Sequence, residues 1–252
     1  STSGSPEVSS LSEYLKDPEA VKELLPNPDS KETDGRQFEL LSVPYETEDE
    51  ILAGFQAHPV SSGGSNTYCM ALIRLEDGKV VVADSVTGSQ GELSDKNSEV
   101  YQHLYKLVSG KYEEVNRNDT LTQEQLEEGT LTALDTFFKS TALFTAWSEE
   151  EKSVLKDHLI VRLLPSSAVP FDPFVWVWDT SIHLTDRQFL IGIRPDDETL
   201  QENIKTKCAG IWGGDFRYVP MTIVFKNNEV NAGIATDLFG LLDDEFDEAQ
   251  EI

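Results

Sequence analysis

The strongest constraint on this fold is local. Residues 68–75 and 79–85 are rich in apolar and β-branched side chains, and they flank Glu76-Asp77-Gly78. Asp-Gly between two such runs favours the tight turn that matches the twist of paired strands, so a β-hairpin is expected here. Alternation puts Cys69, Ala71, Ile73 and Leu75 on one face and Met70 and Leu72 on the other. Both faces are apolar, which points to a sheet covered on both sides. A second hairpin is expected at 217–225 and 229–234, turning through Asn227-Asn228. The two are related by an offset of 150 residues, matching Tyr68 with Tyr218, Ile73 with Ile223 and Val80 with Val230. A duplication and a chance alignment of two common motifs both remain open at this point.

Helical signals surround the hairpins. Ser10 or Ser12 is placed to cap a helix reaching Leu25, with Leu11, Leu15, Val21 and Leu24 on its apolar side. Pro26 and Pro28 end it. A strand is expected at 38–44 and a short helix at 48–57. Residues 98–108 form a compact amphipathic pattern that Gly110 is expected to end. From Thr122 to Leu159 the pattern is helical, with Thr122-Gln123-Glu124-Gln125 resembling a capping box and Ser148 a second cap. Strands follow at 158–164, 174–178 and 189–193, and a helix runs from about 195 to Gly210.

The fold class is therefore α+β: a mixed or antiparallel sheet containing two hairpins, helices packed on it, and room for two similar halves. Residues 1–35 read as a flexible N-terminal segment with a short helix. Residues 36–235 form the core, as one body or as subdomains at about 36–120 and 155–235 joined by a helical stretch. Residues 236–252 form an acidic amphipathic C-terminal helix or tail.

Charge narrows the function. The 252 residues carry 46 Asp and Glu against 20 Lys and Arg, a net charge of −26. Such an excess repels phosphate backbones and anionic lipid surfaces, so neither nucleic acid nor membrane is an expected partner. A basic protein is. The segment 186–234 is nearly neutral, and Arg187, Arg194, Lys205, Lys207 and Arg217 make it the expected meeting place for any anion. No apolar run approaches the roughly 20 residues that span a bilayer. Two cysteines without a CxxC pair fit a reduced, intracellular chain better than a disulfide scaffold. Ser1 in place of an initiator methionine is what a processed or trimmed chain would show.

No phosphate-cradling glycine loop, GxGxxG, HExxH or GxSxG pattern occurs, and no cofactor is expected. Asp179, His183 and Asp186 are the most metal-like cluster, since imidazole and carboxylates together suit Mn, Fe or Zn. A metal there would make the chain a metal-assisted hydrolase. The competing reading is a polar connection in which Asp179 caps a turn. Cys69 with His58 is the nucleophilic alternative, against a plain buried cysteine. Phe174, Trp176 and Trp178 share a face if extended, as an exposed stacking platform or as core.

The tail carries the most regular amphipathic signal. Ile234, Leu238, Leu241, Leu242 and Phe246 recur at helical spacing among seven carboxylates and no base after residue 234. The first reading is a structural helix that docks these residues on its own sheet and leaves a solvated acidic end. As a partner-binding helix it would use Leu238, Leu242 and Phe246 as anchors and Asp243, Asp244, Glu245 and Asp247 as the charged rim. The favoured reading is a non-enzymatic adaptor for a basic or polar protein. The metal-assisted hydrolase is the alternative.

Overall fold

The computed structural model describes residues 10–25, 38–58, 66–118, 120–168, 171–193, 198–208, 218–226, 229–235 and 248–252. The polar segment 1–9, the linker 26–36, the Asn227-Asn228 turn, Gly210–Gly214 and the tail stripe from Leu238 to Asp247 lie outside them. The first elements are α1 (Leu11–Leu15), α2 (Pro18–Leu24), β1 (Phe38–Glu46), β2 (Glu50–Ala57), β3 (Thr67–Glu76) and β4 (Lys79–Ser89). There follow α3 (Gln90–Ser94), α4 (Glu99–Val115), α5 (Gln123–Lys139), α6 (Thr141–Phe144), α7 (Glu149–Lys156) and β5 (Leu159–Leu163). The chain continues through α8 (Val175–Trp178), β6 (Arg187–Ile193), α9 (Glu198–Lys207), β7 (Tyr218–Lys226), β8 (Glu229–Ile234) and β9 (Gln250–Glu251). The fold is α+β, with two antiparallel sheets. The two hairpins lie in separate sheets. They belong to two compact units, 1–115 with 171–184, and 116–170 with 185–252.

In the first unit the sheet order is β1-β2-β3-β4. Asp77 and Gly78 both take positive φ, 51° and 75°, as the tight turn at that hairpin requires. Cys69, Ala71 and Ile73 pack with Leu11, Leu15, Val21 and Leu25 of the α1–α2 segment. Met70 and Leu72 point the other way, into a core with Leu93, Leu104, Leu107 and Val108 of α3 and α4 and with Trp176 and Val177 of α8. The sheet is thus covered on both faces, as its alternating apolar pattern implies.

Four local expectations are corrected. The N-terminal helix breaks in two because Pro18 opens a new helix at its first position, capped by the Asp17 side chain. Residues 48–57 are not helical. They supply β2, whose Ile51 and Phe55 face one core and Leu52 the other. Gly110 does not end α4, which continues to Val115 while the Lys111 ammonium pairs with Glu50 on β2. Residues 174–178 are not a strand either. They form the short helix α8, whose Trp176 and Val177 carbonyls lie 2.9 and 2.7 Å from the Ser42 hydroxyl that donates to them.

The second unit repeats a sequential meander, β5-β6-β7-β8, with β9 added beside β5. Its hairpin closes in the register that the 150-residue offset predicts: Glu76 pairs with Lys79, and Lys226 with Glu229. The registers part at Leu72, where β3 and β4 carry a bulge. One sheet face is deeply covered by Ala133 and Phe137 of α5, Leu143 and Phe144 of α6, Leu155 of α7, and Leu200 and Ile204 of α9. Gly129 lets α5 settle on Phe189, since a Cβ there would sit 2.7 Å from the ring. Both capping boxes read from the sequence are formed, at Thr122 and at Ser148.

Candidate functional site

Among the described residues no three His, Cys, Asp or Glu side chains gather as metal ligands. Asp179 spends its Oδ1 locally, accepting from the Ser181 amide at 2.8 Å and the Ser181 hydroxyl at 2.6 Å. That is the turn-capping geometry of an Asx motif. His183 and Asp186 fall in different units of the chain.

Cys69 lies in the core of the first unit, and burial pushes its thiol up to about 11, partly offset by a hydrogen bond from Thr87. His58, its candidate base, is exposed and bonded through Nε2 to Glu39 at 2.9 Å. A thiolate is the reactive form, so this cysteine is inert in the native fold. Native protein treated with a thiol reagent at pH 8 should react at Cys69 orders of magnitude more slowly than a free small thiol. Labelling of Cys69 at the small-thiol rate would overturn this.

The aromatic trio does not form a platform. Because 174–178 is helical, Phe174 and Trp176 turn into the core while Trp178 stands 49% exposed. Phe171, Tyr112 and Trp176 pack with ring centroids 5.8–6.0 Å apart, an aromatic knot in which Trp176 is buried and the other two rings partly so. The basic residues of 186–234 do not converge in the described part. Arg187 is buried in β6, and Lys207 pairs with Glu151 beside the Trp147 ring.

The structure offers instead an acidic surface on α5 that tracking apolar side chains alone overlooks. Glu124, Glu127, Glu128, Leu131 and Asp135 fall within roughly 100° of helical arc. Leu131 is 70% exposed at its centre, while Ala133 and Phe137 on the opposite side are buried. Asp135 pairs with Lys139 at 2.8 Å, but among the described residues no Lys or Arg pairs with Glu124, Glu127 or Glu128. The stripe is legible in the sequence as acids spaced three and four apart around one leucine.

No described helix is long and apolar enough to cross a membrane. Comparison with protein-family models, with curated proteins and with solved structures found no match to this chain.

Proposed function

We propose that this chain is a non-enzymatic binding protein, an adaptor whose acidic surface takes a basic partner protein. The observation that carries the reading is the outer face of α5, where Glu124, Glu127 and Glu128, paired with no Lys or Arg among the described residues, surround an exposed leucine. A partner with Lys or Arg straddling an apolar groove fits such a face: the leucine supplies the anchor and the carboxylates steer and orient. The net charge of −26 supports the same reading, because it speeds encounter with cations and repels acidic competitors. The tail residues Leu238, Leu242, Asp243, Asp244, Glu245, Phe246 and Asp247 are a second proposed binding element, carried by their sequence pattern alone.

The test is capture of basic proteins by the immobilised full chain at low ionic strength, followed by elution with salt. Bound partners should release as salt rises, since surface charges are screened over about 8–10 Å. One variant carries Glu124→Gln, Glu127→Gln and Glu128→Gln. A second carries Asp243, Asp244, Asp247→Asn with Glu245 and Glu248→Gln. Each should fold normally and weaken binding about tenfold, given 0.2–1 kcal/mol for each exposed charge. The adaptor reading falls if both variants bind every recovered partner as tightly as wild type at low salt.

A further inference from the structure

Three lysines line one recess of the second unit in this acidic chain. A cavity of about 610 Å³ opens between the end of α5 and helices α6 and α7, lined by Phe138, Lys139, Thr141, Phe144, Lys152 and Lys156 among others. Lys152 and Lys156 are four residues apart on α7 and therefore share a helix face. Their ammonium groups lie over the rings of Phe144 and Phe138, at 5.6 and 5.3 Å from the centroids. Those two rings are themselves stacked, 5.6 Å apart and inclined by 17°. Two like charges are thus held side by side against an apolar wall, an arrangement that is unfavourable on its own.

The chain has carboxylates to spare, yet it neutralises this place only in part. Lys152 pairs with Glu149 at 3.3 Å, and that glutamate is 92% exposed at the rim. Lys139 pairs with Asp135 on the outside of α5. Among the described residues no carboxylate pairs with Lys156. With Asp135 set against Lys139 and Glu149 against Lys152, Lys156 leaves the recess a local charge of +1 inside a chain of −26. Low-dielectric aromatic walls concentrate that potential. The Ser140, Thr141, Thr145 and Ser153 side chains add hydroxyl groups to the lining.

We propose that this recess binds the dianionic head of a small organic phosphomonoester. Ammonium groups act as point charges well suited to phosphate oxygens, and a phosphomonoester carries close to two negative charges at neutral pH. The volume is that of a site for a whole small molecule rather than a bare ion, and the Phe138–Phe144 wall supplies apolar contact for the organic part.

Titration calorimetry on the full chain tests this with phenyl phosphate, inorganic phosphate and phenol as probes. Phenyl phosphate should bind saturably at one site and several-fold more tightly than inorganic phosphate, and phenol should not bind at the same concentrations. Lys156→Gln changes an exposed side chain with no ion pair among the described residues, so its fold should be unaffected. It should weaken phenyl phosphate by roughly tenfold, the scale of one charge-assisted hydrogen bond. Lys106→Gln, exposed on α4 in the first unit, should leave the affinity unchanged. Absence of saturation up to roughly 10 mM, or equal affinity in wild type and Lys156→Gln, would overturn the site. Equal affinity for phenyl phosphate and inorganic phosphate would overturn the ester assignment.

Discussion

Adding one methyl group at Gly54 is expected to cost the first unit about 3–5 kcal/mol, combining overpacking with a disrupted buried hydrogen bond. Gly54 on β2 pairs directly with Ser42 on β1, and the two form a notch in the sheet. Into that notch comes the end of α8. A Cβ at position 54 would fall onto the Val177 carbonyl oxygen and the Ser42 hydroxyl, and 2.8 Å from the Val177 carbonyl carbon. Two of these obstacles are backbone atoms, so no rotamer change relieves them. Ser42 and Val177 are both buried, so a displaced α8 leaves carbonyls without their donor in a site that water does not reach. Urea unfolding of Gly54→Ala, followed by near-UV circular dichroism, should show the early loss of a cooperative step. Ser42→Ala removes only the donor and should cost about 1–3 kcal/mol. A Gly54→Ala protein within 1 kcal/mol of wild type would mean that α8 does not depend on the notch.

That notch explains why part of the fold was not legible in the sequence. The alternation in 174–178 favours an extended chain when read alone. In the fold a hydroxyl 134 residues away donates to its carbonyls, and no local pattern encodes such a partner. β2 was misread for a related reason. Its residues Ile51, Leu52, Ala53 and Phe55 do not alternate with polar ones, because the strand is buried on both faces. A continuous apolar run containing Glu, Leu, Ala and Gln also satisfies helix propensity. By contrast, the turn end of the β3–β4 hairpin is legible, although its bulge at Leu72 is not. Asp77-Gly78 fixes the turn chemistry, and the register fixes which face each side chain takes.

The candidate sites divide along the same line. Cys69 was placed by simple alternation, since a strand position inherits its face from its neighbours. The α5 stripe needed only the angular position of its acids, which the helical pattern contains. The lysine recess was not legible. Lys139, Lys152 and Lys156 come from two helices separated by a third, and the spacing of 13 residues between the first two matches no motif. What joins them is the packing of Phe138 on Phe144, a tertiary event. Charge totals pointed to 186–234 as the basic surface because they count residues without regard to burial. Arg187 shows the flaw, since it is counted as surface charge and lies in the core.

The other large effect should come from the ion cluster that fastens α4 to the first sheet. Glu50 accepts from Arg74 Nε at 2.6 Å across the β2–β3 pair and from Lys111 on α4. Lys111 is 6% exposed, lies 4.9 Å from the Tyr45 ring centroid, and among the described residues has Glu114 at 3.4 Å as its one further ion-pair partner. Removing one member of a buried pair typically costs 3–5 kcal/mol, because the remaining charge stays desolvated. Glu50→Gln should therefore cost about that much, as it strands Lys111. Lys111→Met should cost less, about 1–3 kcal/mol, because Glu50 keeps its bond to the half-exposed Arg74. The double variant should fall short of the sum, and additivity would show that the groups are not coupled. Acid provides an independent check. Burial alone would raise the Glu50 carboxyl, but the hydrogen bonds from Lys111 and Arg74 outweigh it and hold the group below the ordinary glutamate range. A carboxyl depressed in the folded state stabilises above its unfolded value, near pH 4.3, and loses that contribution as pH falls through the folded one. The stability gap between wild type and Glu50→Gln, measured by urea unfolding, should be constant from pH 6 to 8 and shrink as pH drops below about 4. Lys111 is shifted upward by the same bond against the opposing effect of burial, so its contribution is lost only on the alkaline side. A gap that stays flat down to pH 3 would remove Glu50 from the forces that hold α4 in place.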